Sequence, residues 1–169
     1  MGNVILFLGT ALVPLIVGFL WYNNSFGLGK AWMRENGFTQ EGLEKDFKPL
    51  KVFGLVYLAG VFIATAMMPM TIHQMGLTSM FADNPDATNE ATELGKTVKS
   101  LLTNYGTNFR SFGHGAVHGM VYSIFLVLPM LLITGLFERK SFKYIFLHFG
   151  YWAITLMIMG GLICRFLEL

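Results

Sequence analysis

His114 and His118 lie four residues apart at the head of a 26-residue stretch, Phe112 to Phe137, that contains no Asp, Glu, Lys or Arg. On a helix that spacing puts both imidazoles on one face, the arrangement used by pairs of metal-ligating histidines. A third histidine, His73, falls near the far end of another apolar run, with an acidic segment (Asp83, Asp86, Glu90, Glu93) following it in the chain. If the two runs are consecutive membrane spans, His73, His114 and His118 meet at one membrane face, and a zinc, iron or haem site is the chemistry they offer. The plainer reading is that the three rings sit at the interface and hydrogen-bond backbone carbonyls or loop groups. That reading is the expectation, with no metal bridging the three, because a His pair without a companion Glu or Cys motif does not by itself mark a metal site. His148 falls near the opposite face, outside the cluster. No nucleophile triad, phosphate-binding glycine loop, paired-carboxylate site or calcium loop can be assembled from the remaining residues.

The elements that must position these rings are transmembrane helices. At about 1.5 Å per residue, a helix from Phe112 to Phe137 exceeds the roughly 30 Å hydrocarbon core of a bilayer. Three more apolar runs accompany it, giving spans at about 4–22, 52–74, 112–137 and 143–165 with polar connections at 23–50 and 75–111. The first run is read as a retained helix and not a signal peptide, since Met1-Gly2-Asn3 carries no positive charge and no small-residue cleavage site follows. In the first connection Gly37 should close a short helix and Thr39 should cap a second one. In the second, apolar residues at Leu94, Val98, Leu101, Leu102 and Tyr105 repeat at helical spacing, predicting an amphipathic helix from about Ala87 to Asn104. The expected fold is therefore all-α: a four-helix membrane bundle, one domain over 1–169, with short amphipathic helices in its first two loops.

Composition agrees. Apolar residues make up 54% of the 169 residues and charged residues 13%, and the net charge of +2 is too small and scattered for a nucleic-acid partner. Cys164 is the single cysteine, so no intrachain disulfide forms. Lys30, Arg34, Lys45, Lys48, Lys51, Arg139, Lys140 and Lys143 belong to the first and third connections, whereas the other side holds Lys96, Lys99, Arg110 and Arg165. Eight against four places the short basic loops in the cytoplasm and both termini outside.

Two further sets of residues have types and spacings suited to contact. Gly115 and Gly119 form a GxxxG pair, and Gly160 and Gly161 are adjacent in the last span; such positions let helix backbones approach closely, within one bundle or between chains. Trp21, Tyr22, Phe26, Lys30, Trp32 and Arg34 combine aromatic and basic groups on the cytoplasmic side, a surface for lipid headgroups or a protein partner. Pro14, Pro69 and Pro129 fall within or at the end of three spans and should kink them.

Trp21-Tyr22, Phe26-Gly27, Lys30-Ala31-Trp32-Met33 and Gly37, with Leu136-Phe137-Glu138 and Gly150-Tyr151-Trp152 later in the chain, resemble the bacterial membrane family called domain of unknown function 1761. The resemblance implies a four-helix integral membrane protein and carries over no catalytic residue. Away from their ends the spans hold no acidic or basic residue apart from histidine, which counts against an ion-coupled transporter. The expected function is accordingly a non-catalytic structural, accessory or interaction subunit of the bacterial inner membrane, as a homo-oligomer or within a larger complex, without a cofactor. The alternatives are a metal- or haem-binding membrane protein using His73, His114 and His118, and a small oligomeric permease.

Overall fold

A computed structural model describes residues 2–45 and 47–168; Met1, Asp46 and Leu169 lie outside it. Ten α-helices occur among the described residues, with no strand: α1 (Gly2–Thr10), α2 (Val13–Trp21), α3 (Gly29–Asn36), α4 (Gln40–Glu44), α5 (Pro49–Thr71), α6 (Gln74–Ser79), α7 (Glu93–Tyr105), α8 (Phe112–Tyr122), α9 (Leu128–Phe137) and α10 (Phe142–Phe166). Four helical stretches are long and apolar enough to cross a membrane: Gly2–Trp21, Pro49–Thr71, Phe112–Phe137 and Phe142–Phe166. They match the expected spans to within a few residues. The second and third spans are the least buried, the last span the most, and large apolar side chains such as Phe19, Phe62 and Phe125 are exposed. A face of that kind is stable in hydrocarbon and unstable in water.

The prolines act where they fall. Pro14 has no N–H, and its ring crowds the carbonyl four residues before it, so the first span breaks into α1 and α2 at Ala11-Leu12. Pro129 follows a π-helical turn at Ser123–Val127 that absorbs the same mismatch and keeps α8 and α9 one continuous span. Pro69 sits two residues before α5 ends.

The last span organises the others. α10 packs along α8 for most of its length and also touches α1, α2, α5 and α9. The core lies around it: Met159, Ile163 and Leu156 meet Val13 and Val17 of α2 and Ala64 and Met67 of α5. A Cβ added at Gly115 would collide with the carbonyl of Gly160, and one at Gly119 with the carbonyl of Leu156. The GxxxG pair is thus occupied within the chain, so its expected contact is α10 and not a second copy. Gly161 lies under the ring of Phe112 on the same interface.

The short helices have local causes. Gly37 closes α3 with a left-handed φ of 68°, and the Thr39 hydroxyl accepts from the Gly42 N–H at the start of α4. α7 begins at Glu93, later than the expected Ala87, because Thr92 caps it and Pro85–Thr88 forms a separate 3₁₀ turn. Both described ends of the chain meet: the Asn3 side chain exchanges two hydrogen bonds with the Glu168 backbone, at 2.7 and 2.9 Å. The long 75–111 connection lies at that end, and the 23–50 connection at the other.

Candidate functional site: a three-histidine cluster

α5 ends at Thr71, whose hydroxyl donates back to the Met67 carbonyl at 2.8 Å. Ile72 then adopts an extended conformation and is 1% exposed, anchoring the chain as it turns. That anchor delivers His73 to the start of α6, two residues past the end of α5 and so outside the helix, although the expected span of 52–74 included it. Across from it, Ser111 caps α8 by accepting from the His114 N–H at 3.2 Å, so the first turn of α8 carries His114 and the next carries His118. The approach to α8 is fastened to the end of α10, where the Arg110 guanidinium donates to the Cys164 carbonyl at 2.7 Å and also to the carbonyl of Leu167.

These two supports bring three imidazoles to one point. His73 Nε2 lies 2.9 Å from His114 Nε2, and His118 Nε2 lies 3.1 Å from the same atom. The ring centroids are 4.6–5.1 Å apart. The expectation that each ring would take a backbone or loop partner is therefore corrected: among the described residues the rings bond to one another. One nitrogen of His114 serves two neighbours, although a neutral ring nitrogen offers either one proton or one lone pair. A proton cannot satisfy this three-way junction fully. A cation at its centre, accepting a lone pair from each ring, can.

The separations suit that role. Tetrahedral coordination with metal–nitrogen bonds of about 2.0–2.1 Å places ligand nitrogens about 3.3–3.4 Å apart; the two separations to His114 fall short of that by a few tenths of an ångström, and all three ligand atoms lie within 4.8 Å of one another. No fourth His, Cys, Asp or Glu joins the group among the described residues. Two of the four acidic side chains of the 75–111 connection are engaged elsewhere, Glu90 with Lys99 and Glu93 with Lys96. Phe109 borders the cluster, its ring centred 5.2 Å from His114 and 5.9 Å from His73. Its backbone holds a φ of 61°, unusual for a bulky residue, and its carbonyl accepts from Cys164 Sγ at 3.3 Å. Neither sequence spacing nor residue type singles out Phe109; the strained turn before α8 places it there.

A family model described as "Protein of unknown function (DUF1761)" matches residues 5–164. The chain belongs to the DUF1761 family. The match runs from the first span to the last, and the resemblance carried by the Trp21–Gly37 motif is thereby confirmed. No curated protein and no solved structure matches the chain.

The motif residues themselves have an inward role. Trp21 Nε1 donates to the Leu147 carbonyl at 3.1 Å, and the Tyr22 hydroxyl pairs with His148 Nδ1 at 2.9 Å. The Tyr22 ring also packs on Trp32 and Tyr151. Of the six residues expected to form a membrane-interface or partner surface, Trp21 and Tyr22 bond to α10 and Trp32 packs on Tyr22, while Phe26, Lys30 and Arg34 remain exposed.

Proposed function

We propose that this DUF1761 protein is a four-helix integral membrane protein that holds one divalent transition-metal ion between His73, His114 and His118. The observation that carries this reading is the convergence of three Nε2 atoms on one point from two separately anchored helices. Imidazole ligands suit zinc, copper, iron and nickel, and three ligands with an open fourth position match sites that admit water or a small ligand. Haem fits less well. Axial histidines approach iron from opposite faces of a flat macrocycle, and rings whose bonding atoms lie 2.9 and 3.1 Å apart leave no slot for one. In the bacterial inner membrane, with both termini outside, the Lys/Arg asymmetry puts the ion at the outer face, and short basic loops in the cytoplasm.

The test is metal content by elemental analysis after purification without chelator, followed by titration of the stripped protein. One ion per chain in the wild type, lost in His118→Ala and in His73→Ala, is the expected result. Purified protein that takes up no zinc, copper, iron or nickel, or takes it equally in the alanine variants, overturns the reading. Single cysteines at Ser25 and Asp86 in a Cys164→Ser background test the orientation; labelling of Asp86→Cys from the cytoplasm alone overturns it.

A further inference from the structure

At the end of the molecule opposite the histidines, α2, the start of α5 and the short helix α4 line an open cleft of about 1290 Å³. It is larger than the roughly 300–1,000 Å³ of ordinary small-molecule pockets. Its walls are apolar, formed by Leu15 and Phe19 of α2 and Val52, Phe53 and Val56 of α5. α4 closes one side through Leu43 and Glu44, near where Pro49 begins the second span. An open apolar cleft of this volume beside the ends of two spans has the dimensions and placement of a lipid site, with tails toward the membrane interior and a headgroup at α4.

The charges at that mouth decide which lipid. Glu44 is part of the lining. One of its carboxylate oxygens accepts from Gln40 Nε2 at 2.7 Å, and the other has no partner among the described residues. Lys45 and Lys48, both exposed, bracket Phe47, another lining residue. A carboxylate thus lines the cleft, and two exposed lysines neighbour its lining residues in the chain, Lys45 after Glu44 and Lys48 between Phe47 and Pro49. A purely anionic headgroup would meet the Glu44 carboxylate as a like charge, whereas a quaternary ammonium offers it no N–H. A phosphate joined to a primary ammonium satisfies both, the phosphate toward the lysines and the ammonium toward Glu44.

We propose that this cleft binds one zwitterionic phospholipid bearing a primary-ammonium headgroup, with its acyl chains between α2 and α5. The site is independent of the histidine cluster, from which the second span separates it. The experiment uses delipidated full-length protein incubated with phosphatidylethanolamine, phosphatidylcholine or phosphatidylglycerol of identical chains, read by native mass spectrometry and by thermal unfolding. Phosphatidylethanolamine should be retained at one per chain with about a tenfold preference over the other two, and should raise the unfolding temperature most. Glu44→Gln should abolish the preference over phosphatidylcholine. Leu15→Trp, which places a bulky ring in the wall of the cleft, should reduce retention of all three while circular dichroism keeps its helical signal. Equal retention of phosphatidylethanolamine and phosphatidylcholine overturns the proposal in favour of non-specific filling, and a preference for phosphatidylglycerol overturns it in favour of an anionic-lipid site. A preference that survives Glu44→Gln overturns the assigned role of that carboxylate.

Discussion

The two ends of the molecule treat histidine in opposite ways. At the end where the termini meet, His73, His114 and His118 converge, each taking another imidazole as partner. At the other end His148 stands alone among aromatic rings, paired through Nδ1 with Tyr22 and packed against Tyr144, and its Nε2 is buried with no partner among the described residues. Three rings share two contacts through a single nitrogen of His114, the convergence on which the proposed metal site rests. One ring wedged between tyrosines makes a structural pin, and its lone nitrogen has no second ligand to complete a site. The residue type is the same; the number of like neighbours decides the chemistry.

The comparison can be broken first through what both ends share. Gly119→Leu would drive a side chain into the Leu156 backbone and part α8 from α10. Overpacking of this kind costs about 1–3 kcal/mol, or more when backbone must move. A large fall in thermal stability is expected, with loss of metal uptake, measured in one detergent beside wild type. A Gly119→Leu protein that unfolds like wild type would mean that the α8–α10 contact does not hold the two ends together.

Next comes a difference between the ends. Metal at a hundred times its dissociation constant should stabilise the wild type by about 2.7 kcal/mol, through binding to the folded state alone. His114→Ala should remove that increment and leave the metal-free stability nearly unchanged, because a ring near the membrane surface can be replaced by water. His148→Ala should do the reverse, lowering stability and sparing the metal increment. Denaturation curves with and without zinc distinguish the two patterns.

Smaller again is the loss of the pin's own bond. Tyr22→Phe removes the hydroxyl that pairs with His148 Nδ1 and leaves both ring nitrogens unpartnered. About 1–3 kcal/mol is expected from a buried polar group left without its bond. Stability equal to wild type would show that water reaches His148.

The smallest effect is a pH dependence confined to the aromatic end. Ser141 Oγ donates to Glu35 and Lys143 lies 3.6 Å from it, tying α3 to the start of α10. The Ser141 hydrogen bond first, and then the Lys143 charge, hold the Glu35 carboxyl below its ordinary 4.5. A carboxyl depressed in the folded state contributes stability above its unfolded value and loses that contribution as pH falls through its folded one. The unfolding temperature should therefore drop slightly more between pH 5 and 3 in wild type than in Glu35→Gln, and parallel curves would show that the contact is too solvated to matter.

The chain's sequence by itself determined the spans, because the cost of exposing apolar side chains to water is a property of each stretch and needs no partner. Local geometry was legible in the same way: Gly37 and Thr39 mark helix ends, and Pro14 marks a break, through bonds within a few residues. The His114–His118 spacing was likewise visible, since four residues make about one turn. What only the tertiary structure decided were the encounters between distant segments. His73 reaches His114 because buried Ile72 turns the chain after α5 and Arg110 fastens the approach to α8 onto the end of α10. Trp21 and Tyr22 had the composition of a surface, yet hydrogen bonds to Leu147 and His148 and packing of Tyr22 on Tyr151 draw them inward, with Trp32 against Tyr22. An aromatic ring with one polar atom satisfies an interface and an interior equally well, so its side of the helix follows from where α10 lies, which no local pattern contains.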